Sequence, residues 1–175
     1  MQMCKFKNGL NVRTHDHLNR EIAEFHKGLG LSTTLVVKPH FPSADNLDVQ
    51  TKTDQVIPHS GIPPLSIDTT TSNVCSDQSL KSMKGKPKYL AVAKLREQSK
   101  INDYMEECRK IGHDFLPVTF ECQGSIGQMF DQHFEDCVQK RAEELEIIKS
   151  PGPLRWYWRQ RLFIALQRHA SQGDV

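Results

Sequence analysis

The sequence predicts one α/β domain, because helical and strand patterns follow one another in the order α-β-β-β-α-β-α-α. Its 175 residues fit a single domain with at most a short appendage. A hydrophobic fraction of 37% and a charged fraction of 25% allow one core of moderate size. The formal net charge of +2 excludes a uniformly basic protein that coats nucleic acid.

Neither a membrane span nor a secretory signal is predicted. No stretch reaches the roughly 18 consecutive apolar residues that a span needs, and the first residues contain no apolar run. The five cysteines are scattered without a Cys-x-x-Cys pair, which fits reduced thiols and leaves no intact zinc site. We therefore expect an intracellular protein with no membrane partner.

The first half of the chain contains a helix and three strands. Residues 14–28 are predicted to be helical, because Leu18, Ile22 and Phe25 recur at helical spacing behind a possible cap at Thr14. Strand patterns rich in β-branched residues follow at 31–38, 53–57 and 65–71. The segment 39–52 is polar and rich in turn residues, which predicts a loop or an irregular hairpin.

The second half is predicted to be mainly helical, with one strand. A long helix is expected over 89–111, a strand over 115–121 and a helix from about 128 to 149. The sequence Pro151-Gly-Pro then interrupts the chain before a last helix over 154–169.

Two aspartates occur in predicted strands, where Asp is depleted. Asp54 opens the second strand, and Asp68 lies in the third. If these strands are neighbours, both carboxylates reach one point and offer two hard oxygen ligands for Mg²⁺ or Mn²⁺. Such an ion activates a bound water and stabilises the charge of a phosphodiester in the transition state. The alternative is that Asp54 caps a turn and Asp68 faces solvent.

Three further charged residues are candidates for the same site. Glu21 flanks the apolar stripe of the first helix. On a helical wheel, Glu97 falls inside the buried stripe of the long helix, and Lys100 falls at its edge. A lysine directed at a metal site would position the water or neutralise a phosphate. The alternative is an ion pair between Glu97 and Lys100 within the helix.

Two basic regions could hold a nucleic-acid backbone. Residues 81–100 contain seven Lys or Arg and one acid, and residues 149–169 interleave arginines with aromatic rings. The candidate binding residues are Lys84, Lys86, Lys88, Arg155, Trp158 and Arg159. The alternative for the second region is a helix whose aromatics pack on the core. Residues 131–146 contain six acids, so we expect that helix to face away from nucleic acid.

Six short motifs, in order along the chain, carry a family resemblance. They are Thr14-His-Asp-His-Leu-Asn-Arg-Glu21, Asp54-Gln-Val, Ile67-Asp-Thr-Thr-Thr-Ser-Asn, Glu97-x-x-Lys-x-x-x-Tyr104, Asp114-Phe-Leu-Pro-Val-Thr-Phe-Glu and Arg161-Leu-Phe-Ile-Ala-Leu-Gln-Arg168. Together they resemble a truncated form of the C-terminal restriction-enzyme-like, PD-(D/E)xK-type endonuclease region of non-LTR retrotransposon reverse transcriptase polyproteins.

The resemblance implies a restriction-endonuclease-like αβββαβ core, a mixed four-stranded sheet flanked by helices, with extra C-terminal helices. It implies that residues 1–13 are the remnant of a lost zinc knuckle whose last ligand is Cys4. Residues 14–150 would be the endonuclease-like core, and residues 151–175 a basic aromatic helix. Thr70 stands where the broad nuclease pattern has its lysine, and the resemblance nominates Lys100 instead.

The expected function is therefore metal-dependent cleavage of DNA. Asp54 and Asp68 would bind the ion, Glu21 or Glu97 would assist, and Lys100 would orient the water. A protein that acts on DNA would work in the nucleus. Two alternatives remain: an inactive remnant that binds DNA or RNA, and a small interaction domain that docks a partner through its C-terminal helix. Carboxylates on opposite faces of the sheet would contradict the nuclease interpretation.

Overall fold

The computed structural model describes residues 8–35, 41–42, 50–51, 53–58, 62–74, 81, 90–145 and 150–168. Its helices are α1 (Asn8–Gly28), α2 (Ala91–Lys110), α3 (Gln128–Glu144) and α4 (Gly152–Gln167). Its strands are β1 (Thr34–Leu35), β2 (Phe41–Pro42), β3 (Gln50–Thr51), β4 (Gln55–Ile57), β5 (Leu65–Ser72) and β6 (Asp114–Glu121). Among the helices described, none is long and apolar enough to cross a bilayer.

A mixed four-stranded sheet forms the centre of the molecule, with the strand order β1-β4-β5-β6. The pairs β1–β4 and β4–β5 are antiparallel, whereas β5 and β6 run parallel over the whole length of both strands. A parallel pair needs a crossover connection, and α2 lies between β5 and β6 in the chain. Strands β2 and β3 form a separate antiparallel pair.

The predicted α/β class and the mixed sheet are confirmed, while several boundaries differ. Helix α1 begins at Asn8 rather than at residue 14, because residues 10–14 contain neither proline nor glycine to end it. Strand β1 covers only two of the eight positions predicted, although residues 36–40 lie outside the described part of the chain.

The main core lies on one face of the sheet, between β6 and the helices α1, α3 and α4. It contains Leu18, Ile22, Phe25, Leu116, Val118, Phe120, Phe130, Phe134, Trp158 and Leu162. The opposite face is covered by α2, where Tyr104 and Cys108 pack against Phe115. Alternate residues of β6 therefore point to the two helical layers, as a strand requires.

Helices α1 and α4 approach closely at a glycine. The indole of Trp158 occupies the space that a Cβ atom on Gly28 would take. The same indole is buried and packs edge-on against Phe25, with ring centroids 5.7 Å apart. Gly28 thus sets the distance between the first and last helices of the described chain.

We predict that Gly28→Ala lowers the free energy of unfolding by about 1–3 kcal/mol, because the added methyl group displaces a packed indole. Urea unfolding followed by tryptophan fluorescence measures this change. Gly152→Ala is the matched control, since its new Cβ would meet only the Ser150 hydroxyl oxygen at 3.3 Å. A loss of the same size in both variants would contradict the close packing at Gly28.

Candidate active site

Asp54 and Asp68 lie beside each other where β4 begins. The backbone N–H of Asp54 donates to the carbonyl of Ile67 at 2.8 Å. Its Oδ2 accepts a hydrogen bond from the N–H of Thr69 at 2.7 Å. Because these partners flank Asp68 in β5, Asp54 stands next to Asp68 across the two strands.

Helix α1 contributes a histidine to this site. The Nε2 atom of His15 donates to Asp54 Oδ2 at 3.1 Å. The hydrogen bond that His15 donates to Asp54 raises the pKa of His15 above its usual value. Burial raises the pKa of Asp54, but His15 and the Thr69 N–H outweigh it and leave that pKa lowered. Asp54 is therefore held as a carboxylate by two donors.

Asp68 is buried and faces helix α2. The ammonium group of Lys100 lies 2.7 Å from Asp68 Oδ2. Burial raises the pKa of Asp68, Lys100 opposes that rise, and the charge of Asp54 adds to it. The charges of the two carboxylates thus act on each other.

Tyr104 holds Lys100 from the other side. The Lys100 ammonium lies 5.0 Å from the centre of the Tyr104 ring, one helical turn further along α2. That ring stacks on Phe115 with centroids 5.5 Å apart. Burial lowers the pKa of Lys100, but Asp68 more than compensates, so the pKa is raised and the side chain stays charged.

We call His15, Asp54, Asp68, Lys100 and Tyr104 the aspartate cluster. Two carboxylates from neighbouring strands can hold a Mg²⁺ ion, which commonly takes one or two protein carboxylates and completes its shell with water and phosphate oxygens. The cluster therefore suits that ion by its donor chemistry. Within the described residues, no group of three or more His, Cys, Asp or Glu side chains is arranged to hold a metal.

The two candidate glutamates each contact a residue outside this cluster. Glu97 Oε1 accepts the N–H of Met129 at 3.1 Å, in the first turn of α3. Burial raises the pKa of Glu97. Glu21 forms an ion pair of 2.7 Å with Arg161 of α4. The structure does not show the alternative ion pair of Glu97 with Lys100, because the Lys100 ammonium pairs with Asp68.

Only three of the six predicted nucleic-acid contacts lie in the described part of the chain. Lys84, Lys86 and Lys88 lie outside the described residues. Trp158 is in the core rather than on the surface.

Arg155 and Arg159, the two arginines among the predicted nucleic-acid contacts, pair with carboxylates of helix α3. Arg155 contacts Glu135 at 2.6 Å, and Arg159 contacts Asp131 at 2.6 Å and Glu135 at 2.8 Å. The acidic helix packs against the basic one, so these two arginines are already neutralised within the chain.

His15 is the site residue that the sequence reasoning did not assign. It lies in the first of the six motifs, one helical turn before the buried Asn19. The carbonyl of Asn19 accepts a hydrogen bond from the Gln55 amide at 2.9 Å, which fastens α1 to the start of β4. The histidine's position on that part of α1 could have indicated a site residue. Its partner Asp54 is 39 residues away in sequence, so no local pattern links the two.

The bond between His15 and Asp54 predicts a window of added stability. The raised pKa of His15 means that this contribution is complete below its unfolded value of 6.5 and is lost as the pH rises through the folded pKa. The lowered pKa of Asp54 means that it is present above 3.8 and lost as the pH falls through the folded pKa. We expect His15→Gln to cost about 0.5–1 kcal/mol more at about pH 5.5 than at about pH 8.5.

Urea unfolding of the wild type and the variant at both pH values measures the difference. Asp54→Asn should remove the larger share of this pH-dependent part, and His15→Gln should then vary less with pH, because only Asp16, 3.6 Å from His15 Nδ1, still raises the pKa of His15. A cost for His15→Gln that is larger at the higher pH would contradict the assigned bond.

The comparisons with known proteins come to one result. The chain matches no protein-family model, and no curated protein is significantly similar to it in sequence.

Proposed function

We propose that the chain is a metal-dependent DNA endonuclease domain with a restriction-endonuclease-like core. The observation that carries the proposal is the ion pair of Lys100 with Asp68, beside the carboxylate of Asp54. The order of the elements around the main sheet supports it: apart from the separate β2–β3 pair, a helix, three antiparallel strands, a crossover helix and a parallel strand follow one another, as in an αβββαβ core. The proposed origin in a non-LTR retrotransposon rests on the order of the six sequence motifs.

Asp54 and Asp68 are the proposed ligands of Mg²⁺ or Mn²⁺. When bound, such an ion would lower the pKa of a water molecule and stabilise the negative charge that develops on the phosphate. The His15 imidazole and the Thr69 N–H fix the direction of the Asp54 carboxylate, because both bind its Oδ2 atom. Donors of this kind around a ligand carboxylate keep it in place for metal binding.

Lys100 is the proposed catalytic cation. Its raised pKa keeps it protonated at neutral pH, so it can donate to a water molecule or to a phosphate oxygen placed between the strands and α2. The Tyr104 ring limits where the ammonium can move. Lys100 also offsets the cost of a buried charge on Asp68 in the absence of substrate.

One observation favours a protein that binds DNA without cutting it. Oδ2 of Asp54 already accepts two hydrogen bonds, and Oδ2 of Asp68 already has a cation beside it. Two carboxylates whose charges are already countered within the chain have less need of a metal ion. The nicking experiment distinguishes this second candidate from the first.

We predict that the wild-type chain nicks supercoiled plasmid in the presence of Mg²⁺ or Mn²⁺ and that a chelator stops it. Asp68→Asn and Asp54→Asn should lower the nicking rate by at least about 100-fold, because each replaces a charged carboxylate ligand with a neutral amide of nearly the same shape. Conversion of supercoiled to open-circular DNA on agarose gels measures the rate.

Lys110→Met is the matched control for Lys100→Met, since Lys110 lies on the same helix with an exposed partner, Glu107, at 2.7 Å. Only Lys100→Met should reduce nicking. A folded wild type that binds DNA in a salt-sensitive way and nicks it with neither ion would contradict the endonuclease and support the second candidate.

We predict that Glu97 stabilises the fold and takes no part in the cleavage reaction. Glu97→Gln keeps an oxygen that accepts the Met129 N–H. It also removes a carboxylate whose charged form is disfavoured by burial, which raises the pKa of Glu97. Its free energy of unfolding at neutral pH should equal or exceed that of the wild type, whereas Glu97→Ala should lose about 1–2 kcal/mol with its cap. Thermal unfolding measures both.

Nicking by the same two variants decides the role of this side chain. We expect Glu97→Gln to retain nicking, as a residue that caps α3 should. A loss of about 100-fold in a variant of unchanged stability would instead assign Glu97 to the chemistry.

A further inference from the structure

Helix α4 is apolar on its outer side as well as on its inner side. Trp158, Leu162, Ala165 and Leu166 form the buried stripe. On the opposite side, the side chains of Trp156, Tyr157, Phe163 and Ile164 are between 48% and 63% exposed. A helix that is apolar all round is normally covered on all sides. The outer face of α4, defined by these four residues and Gln160, is thus an interaction surface.

The outer face is symmetric about its one polar residue. Relative to Gln160, the apolar side chains stand at positions −4, −3, +3 and +4. If a second copy lies antiparallel with a two-fold axis at Gln160, Trp156 meets Phe163 of the other copy and Tyr157 meets Ile164, because each pair lies on the same side of the interface. The two Gln160 amides meet at the axis, where each can both donate and accept. Self-complementarity of this kind is what an isologous dimer interface requires.

The charges beside the axis are also suited to a second copy. Arg159 and Arg161 flank Gln160, and four arginines near one axis would repel one another. Within each chain, however, Arg159 is paired with Asp131 and Glu135. Arg161 is paired with Glu21. Each copy therefore brings its own counter-charges, and the apolar residues can meet without a net repulsion from these side chains.

The area available is near the minimum for a specific interface. Large aromatic side chains bury about 150–250 Å² each, so four half-exposed apolar residues offer about 400–500 Å² on each copy. Two copies with Gln160 and its neighbours would bury about 1,000–1,200 Å², where specific interfaces begin. This area fits a weak dimer better than a permanent one.

A ligand in the neighbouring groove would leave half of the outer face uncovered. The groove has a volume of about 780 Å³ and is lined in part by Trp156, Phe163, Gly124 and Ile126. Tyr157 and Ile164 are not among its lining residues. A second α4 helix along the whole face covers all four side chains. We propose that two copies of this chain form a homodimer by antiparallel packing of their α4 helices about Gln160.

A charge exchange across the axis tests this arrangement. Sedimentation of the wild type between about 1 and 100 μM should show a mass that rises from 20.0 kDa toward twice that value. Trp156→Lys alone and Phe163→Glu alone should each weaken dimerisation at least about tenfold. An equimolar mixture of the two should dimerise again, because the new lysine meets the new glutamate at one contact while the wild-type pair remains at the other.

Leu95→Glu on helix α2 is the matched control, since Leu95 is exposed to a similar degree far from α4 in sequence. It should dimerise as the wild type does, and unchanged thermal unfolding should show that all variants are folded. Three results would overturn the proposal: a wild type that stays monomeric throughout, a mixture that stays monomeric, or single variants that dimerise normally. A wild-type monomer that binds a different partner helix would fall under the first of these.

Discussion

The parallel pairing of β5 with β6 is the constraint on which the site depends. Parallel neighbours cannot be joined by a tight turn, so the chain crosses one face of the sheet, and α2 is part of that crossing. Strand alternation sends Ile67 into the main core and Asp68 toward α2. Lys100 meets Asp68 as a consequence of this topology, and the same side of α2 packs Tyr104 against β6.

The ion pair of Asp68 with Lys100 adds little net free energy of folding. Removing two charges from water costs about as much free energy as their attraction returns, so apolar residues of similar size would serve the fold as well. The environments of the two neighbouring aspartates also differ in direction. His15 and the Thr69 N–H lower the pKa of Asp54, while burial raises that of Asp68 despite Lys100. Adjacent carboxylates with divergent pKa values are typical of sites that handle protons or cations.

Local patterns in the sequence predict the parts of this structure that depend on local geometry. The helical spacing of Leu18, Ile22 and Phe25 identifies a stripe that lies in the core. The partners of Glu21 and Glu97 could not be predicted, since each partner is on a helix that packs from elsewhere in the chain. The helical wheel does predict how the two tryptophans differ. Trp156 and Trp158 are two residues apart on a helix, so they point to opposite sides, and Trp156 is exposed while Trp158 is buried.

The pairing of charges in the structure bears on which surface would attract a phosphate backbone. Arg155, Arg159 and Arg161 of α4 are each paired with a carboxylate of α1 or α3, so these three cations are less available to a phosphate backbone. Helix α2 differs, because exposed Lys94 and Arg96 lie on the same helix as Lys100. A backbone approaching the aspartate cluster along α2 would meet these cations first. The neutralised arginines of α4 then have a different consequence: they allow its outer face to be apolar next to charged residues, which suits contact with protein rather than with nucleic acid.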